Sequence, residues 1–204
     1  MTAHRLDAVE LRVLGCLVEK QRTTPDQYPL SLNALRLACN QATNRDPVVD
    51  YDESQVRTAA QRLGQIGWAR LASGPGSRTA KYRHLFDEAL ALDSAETALL
   101  ALLFLRGPQT VAELKARSER LHRFADTDDV SAGLARLEGR ELAQLLSRQP
   151  GQREERWTHL FGESPTDEPP AAVGETTSVE RRLQQVEERL AELERQLAER
   201  GLLD

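Results

Sequence analysis

Several common signatures are missing from these 204 residues, and each absence removes a class of protein. No stretch of roughly 18 apolar residues occurs, and no charged segment followed by an apolar one opens the chain. Neither a membrane span nor a secretory leader is therefore expected, and the cytoplasm is the default address. Cysteine is nearly absent: Cys16 and Cys39 each sit among apolar neighbours, with no second pair at metal-ligand spacing. Buried free thiols are expected, not a zinc site or a disulfide framework. There is no P-loop, no Gly-x-Gly-x-x-Gly, no Gly-x-Ser-x-Gly and no His-Glu-x-x-His, and Gly74-Pro75-Gly76 reads as a turn, not a phosphate cradle. No catalytic residue, metal or cofactor is expected, and the chain reads as a non-enzyme.

Charge, by contrast, is present but uneven. Residues 1–86 carry 12 basic and 8 acidic side chains, residues 87–161 carry 10 and 13, and residues 162–204 carry 5 and 11. The net charge of -5 thus averages three unlike segments, and only the first invites a nucleic-acid contact.

The chain also resembles itself. Leu6-Asp7-Ala8-Val9-Glu10 opens one helical pattern as Leu92-Asp93-Ser94-Ala95-Glu96 opens another, and Tyr82-Arg83-His84-Leu85-Phe86 closes the first copy as Trp157-Thr158-His159-Leu160-Phe161 closes the second. A period of about 80 residues is too long for a solenoid and suits domain duplication.

In copy one, Asp7 caps a helix with Leu11, Leu14, Leu17 and Val18 on one face, and Ser31 caps a short helix with Leu32, Leu35 and Ala38. A third helix runs from about Glu53 to Ile66 with the stripe Val56, Ala59, Ala60, Leu63 and Ile66. Strands follow at Trp68–Ala72 and Lys81–Phe86 around the turn cluster Ser73–Ser77. Copy two repeats the plan: Leu99, Leu102 and Leu103 on a first helix, Thr110 capping a second over Val111–Arg117, and Val130, Leu134 and Leu137 on a third. Strands at Leu142–Leu146 and Arg156–Leu160 meet at a tip of Gln149-Pro150-Gly151-Gln152. Three helices and a hairpin make a winged helix-turn-helix. The expected fold is mainly α with small β-hairpin wings (α+β), with winged-helix domains at 1–88 and 89–161, a linker at 162–177 and a coiled-coil helix at 178–200.

The runs Leu17-Val18-Glu19-Lys20-Gln21, Thr23 through Leu35, Cys39-Asn40-Gln41 and Asn44-Arg45-Asp46-Pro47-Val48 resemble the signature of the YceH-like family of bacterial proteins. The resemblance covers residues 6 to about 161. It implies a tandem winged-helix fold and brings no catalytic or ligand-binding residues with it.

On the third helix of copy one, steps of 100° place Ser54, Arg57, Thr58, Gln61, Arg62 and Gln65 opposite the apolar stripe, where a recognition helix meets the major groove. Gln55 adjoins this face. From Ser54 through Phe86 there are six basic residues, Arg57, Arg62, Arg70, Arg78, Lys81 and Arg83, and no acid. A locally positive surface is what phosphate contacts need, and Arg78 at the hairpin tip is placed for the backbone or a minor groove. The expected partner is double-stranded DNA; the alternative is a scaffold whose winged helices dock protein.

Copy two presents Ser131, Ala132, Ala135, Arg136 and Gly139 at the equivalent place, a poor reading face but one that admits a close neighbour, either domain one or a second subunit. Asp126, Asp128 and Asp129 lack calcium-loop spacing and suit a capping role. The matched His84 and His159 suit packing or strand-end hydrogen bonding. In the tail, Thr177 and Glu180 make a capping box, and Val179, Leu183, Val186, Leu190, Leu193 and Leu197 follow at alternating spacings of 4 and 3 up to Gly201. Arg182 and Arg189 at g face Glu187 and Glu194 at e in a parallel pairing, so a parallel homo-oligomer is expected, with docking of the tail on the globular part as the alternative.

Overall fold

The computed structural model describes residues 5–72, 80–148 and 151–162, all inside one compact unit, Met1–Ser164. Arg78, the turn at 73–77, Pro150 and the whole tail seam from Val179 to Leu197 lie outside the described residues. The observed class is α+β, with seven α-helices and two small antiparallel sheets among the described residues. In order come α1 (Ala8–Thr23), a 3-10 turn (Pro25–Gln27), β1 (Leu30–Ser31), α2 (Leu32–Cys39), α3 (Glu53–Gln65), β2 (Ala69–Leu71), β3 (Lys81–His84) and α4 (Phe86–Leu90). The second copy continues with α5 (Ser94–Arg106), α6 (Val111–Ser118), α7 (Thr127–Gly139), β4 (Ala143–Leu146) and β5 (Arg156–His159).

Local sequence explains where the helices start. Asp7, Asp52, Asp93 and Thr110 each accept a hydrogen bond from the third helical residue, while Glu10, Gln55, Glu96 and Glu113 reach back to the cap's own N–H. Each cap is worth about 1 kcal/mol. Ser31 and Asp126 cap α2 and α7 through their side chains, the role expected of the acidic group before α7.

The likeness of the two copies extends to strand register. Ala69 lies opposite His84 and Leu71 opposite Tyr82; Ala143 lies opposite His159 and Leu145 opposite Trp157. In copy one, β1 adds a third strand through Leu30 and Tyr82. In copy two, a single bridge between Gln109 and Trp157 holds the corresponding place. β1 and α4 are too short for periodicity to reveal, and Phe86, expected at a strand end, instead opens α4.

The two copies share a continuous core. α5 is buried on every side from Ala95 through Leu105, and a helix with no polar face needs apolar partners all round. It packs on α6 and α7 of its own copy and on α1 of the other. The approach is close at Gly15, where a Cβ would lie 2.9 Å from Leu105 Cγ. Phe86 and Phe161, equivalent residues of the two copies, meet with ring centroids 5.5 Å apart, and Trp68 and Phe104 pack edge-on against both. The Leu6 N–H also donates to the Phe161 carbonyl at 2.6 Å. The copies therefore meet through α1 and α5, and not through the small residues of α7. Ala132, Ala135 and Gly139 stay exposed, because α5 has more apolar surface to cover.

The matched histidines are packing residues. His84 is buried, with Nε2 2.6 Å from Gln21 Oε1 and its backbone N–H donating to the Tyr28 hydroxyl at 2.7 Å. The His159 ring lies edge-on to Phe104, 5.1 Å away, and its Nδ1 accepts from the Phe161 N–H. Burial holds both below the usual histidine range, His159 at about 4.

Candidate nucleic-acid interface

α3 buries Val56, Ala59, Ala60 and Leu63 and leaves Ser54, Gln55, Arg57, Thr58, Gln61, Arg62 and Gln65 exposed. Arg70 on β2 and Lys81 on β3 are also exposed, and Arg83 is half-buried. An open groove of about 680 Å³ runs between α3 and the β2–β3 hairpin, with Gln61, Gln65, Arg70 and Leu71 on its walls. Leu71 is 60% exposed there. Of the sequence-derived face, Gln61, Gln65 and Arg70 meet at this groove.

Its electrostatics differ from what the linear sequence implies. The acid-free run from Ser54 to Phe86 is not acid-free in space, because carboxylates from outside the run reach its arginines. Arg57 pairs with Glu53 one turn earlier. Arg62 Nη1 lies 3.2 Å from Asp7 Oδ2 and 3.9 Å from Glu10 Oε1, and Arg83 Nη2 lies 2.8 Å from Glu88 Oε1. The Gln55 side chain accepts from the Asp52 N–H at 2.9 Å, so capping occupies it. Among the described residues Arg70 makes no ion pair. The Arg57 and Arg62 pairs are solvent-exposed, and such pairs contribute about 0–1 kcal/mol, small enough for a guanidinium to exchange its carboxylate for a phosphate.

Copy two repeats one of these contacts. Arg136 on α7 sets Nη2 3.2 Å from Asp93 Oδ2 and Nε 3.6 Å from Glu96 Oε1. Arg62 and Arg136 hold the same place, each tying the third helix of its copy to the capping box of the first. A device repeated on a helix that has no reading face belongs to the fold, so Arg62 has a structural role whatever else it contacts. The sequence did carry a trace of this: Arg62-Leu63 and Arg136-Leu137 match in register.

A second polar feature escaped sequence reasoning. Arg45, in the loop after α2, is buried and grips both oxygens of Glu19 on α1, Nη2 at 2.6 Å and Nη1 at 3.0 Å. Its Nε donates to the Ala38 carbonyl at 3.1 Å. Beside it, buried Arg12 donates to the Cys39 and Pro47 carbonyls at 3.1 and 2.7 Å. Burial opposes ionisation of Glu19, but the hydrogen bonds and charge of Arg45 outweigh it and hold Glu19 below the usual carboxylate range. Cys16 and Cys39 are buried free thiols next to this pair, as expected. A single buried arginine in a loop has no periodicity, so only the family resemblance pointed to Arg45.

The family described as "Protein of unknown function, DUF480" matches residues 6–152, and the chain belongs to it. A UPF0502 protein of Pseudomonas fluorescens (strain Pf0-1) is 51% identical over 159 residues, spanning 78% of this chain and 73% of its own length. A UPF0502 protein of Stenotrophomonas maltophilia (strain K279a) is 52% identical over 156 residues, 76% and 71% of the two chains. One from Citrifermentans bemidjiense is 53% identical over 162 residues, 78% and 75%. These relatives agree with the YceH-like resemblance seen in the motifs. Among the described residues no helix is long and apolar enough to cross a membrane.

Proposed function

We propose that this chain is a DNA-binding, regulator-like protein, built as two winged helix-turn-helix units, in which only the first contacts DNA. The observation that carries the reading is the meeting of Gln61 and Gln65 of α3 with Arg70 of the hairpin at one groove, with Arg57, Thr58 and Lys81 also exposed. Side chains of this kind read base edges from a helix and phosphates from a hairpin. In this reading the role is binding, not catalysis. The heptad seam Val179, Leu183, Val186, Leu190, Leu193 and Leu197, read from the sequence alone, is assigned to a parallel homo-oligomer.

A titration of labelled duplex DNA followed by anisotropy at several salt concentrations tests the reading. Arg57→Ala combined with Arg70→Ala is expected to weaken binding and to flatten the salt dependence by about 0.9 in log–log slope for each phosphate no longer neutralised. Absence of DNA binding at low salt overturns it. Removal of residues 178–204 is expected to lower the solution mass to that of a monomer.

The exposed Leu71 on the groove wall favours a second reading, a scaffold that docks a protein segment there. Leu71→Ser would abolish such docking while leaving the charge of the DNA-facing surface, and so DNA affinity, unchanged.

A further inference from the structure

Several residues that carry the family resemblance do not lie on the α3 face. Glu19, Lys20, Thr23, Gln41 and Asn44 line a cavity of about 390 Å³, where α1 and the loop after α2 meet α5 and α6. Its walls come from both copies, so the cavity exists only because the copies pack together. The volume suits a small ligand, since such sites span about 300–1,000 Å³.

The chemistry of the walls is one-sided. Four cations, Lys20, Arg106, Arg117 and Arg120, line the cavity against two carboxylates, Glu19 and Glu119. Both carboxylates are already engaged: Glu19 by the Arg45 fork, and Glu119 by Lys115 at 3.0 Å and Arg123 at 3.4 Å. Lys20 is shared between Gln41 Oε1 at 3.2 Å and Glu19 at 3.5 Å. Arg117 donates to Gln109 Oε1 at 2.7 Å and faces Glu113 at 3.4 Å.

Two of the cations have no carboxylate partner. Arg106 and Arg120 make no ion pair among the described residues, and the bond Arg106 does make is to the uncharged Asn44 Oδ1 at 2.7 Å. Burial, then the positive charges of Arg117 and Arg45, push Arg106 below its ordinary value. A base in the last turn complements its helix dipole, and Lys20, Arg106 and Arg117 all do so. That role leaves open which way each side chain leans around its helix. Here they lean onto one cavity, to which Arg120, just past the end of α6, adds a fourth charge.

We propose that this cavity binds a small phosphorylated molecule, with its phosphate monoester dianion held by Arg106 and Arg120 and flanked by Lys20 and Arg117. Guanidinium forks match phosphate oxygens two at a time, and a dianion answers an excess of two unpaired cations. The cavity is too small for duplex DNA, so the occupant is a free ester and not a nucleic-acid backbone. The inference is independent of the DNA reading, because it uses no residue of α3 or the β2–β3 hairpin.

Calorimetric titration of the full chain with inorganic phosphate, with adenosine 5′-monophosphate and with uncharged adenosine tests it. Phosphate and the monoester are expected to bind saturably and adenosine not at all. Arg106→Gln with Arg120→Gln is expected to weaken both by about tenfold or more, while Arg57→Ala leaves them unchanged. Arg120→Gln alone, at an exposed side chain with no ion pair to break, keeps the test readable if the double variant misfolds, and is also expected to weaken binding. No saturable binding of either probe at millimolar concentration overturns the proposal. So does binding that survives Arg120→Gln undiminished, or displacement of bound phosphate by duplex DNA but not by the monoester.

Discussion

Copy one and copy two share their order of elements, their caps and their strand register, yet they fill the same interior differently. In α5 of copy two the positions from Leu99 to Leu105 are all apolar and buried. At the matching positions α1 carries Gly15, Cys16 and Glu19, and Arg12 stands where copy two has Ala98. Arg12 and Arg45 bond outward to the backbone of α2 and of the long loop before α3, and Asn40 adds bonds to both backbone groups of Tyr51. Copy two connects α6 to α7 by a shorter path, and among the described residues none of its arginines is buried. The difference teaches that two like scaffolds can be filled differently: copy one carries buried arginines that order a loop where copy two has apolar core. That loop and its neighbours in α1 then form one wall of the cavity at the junction.

The largest expected effect breaks the polar interior of copy one. Arg45→Met strands the buried Glu19 carboxylate and is expected to cost about 3–5 kcal/mol in urea unfolding. Arg45→Met with Glu19→Leu imitates copy two at that position and should recover much of the loss. A double variant as unstable as the single one would show that the loop, not the charge pair, carries the stability.

Acidification separates the copies through their histidines. His159 is held at about 4 in the fold by burial, so the unfolded chain, with histidine near 6.5, binds the extra proton first as pH falls. The contribution is complete above pH 6.5 and is lost as pH drops from 6.5 towards 4, by up to about 3 kcal/mol. His84 is lowered by burial in the same direction, with Asp87 opposing the shift. His159→Gln should flatten the pH profile of stability more than His84→Gln does, as thermal melts from pH 7 to 4 would reveal.

Glycines at non-matching places sharpen the comparison further. A Cβ on Gly15 would meet Leu105 Cγ at 2.9 Å, and one on Gly133 would meet Leu99 Cδ1 at 2.9 Å. Their counterparts in the other copy, Ala101 and Ala59, already carry that carbon. Gly15→Ala and Gly133→Ala should each destabilise by about 1–3 kcal/mol, by forcing leucines off their rotamers. Chemical denaturation of both variants checks this.

The smallest effect concerns the matched arginines. Arg62→Ala and Arg136→Ala each remove an exposed tie between third and first helices and should cost less than about 1 kcal/mol apiece. If Arg62 only fastens, both variants bind DNA equally well. A specific loss of DNA affinity in Arg62→Ala alone would make it a reader as well.

Much of the scaffold was legible because its signals are local. Asp7, Ser31, Asp52, Asp93, Thr110 and Asp126 announce helix starts within one turn, and the apolar stripes of α3 and α7 repeat every three or four residues. The exposed face of α3 was legible for the same reason. Its charge was not, since Arg62 finds Asp7 across 55 positions of sequence. The uninterrupted Leu99–Leu105 run already required that α5 be covered on two sides, but it named no partner.

By itself, then, the sequence determined the six longer helices, the two hairpins and which residues of α3 face water, because capping and periodicity act over a few residues, while β1 and α4 are too short to leave such a signal. Tertiary structure alone decided that the two copies share one core, that carboxylates from α1 and α4 temper the basic run, and that Lys20, Arg106, Arg117 and Arg120 converge. Those outcomes depend on Coulomb and packing forces between groups distant in the chain, which act through space and leave no spacing to read.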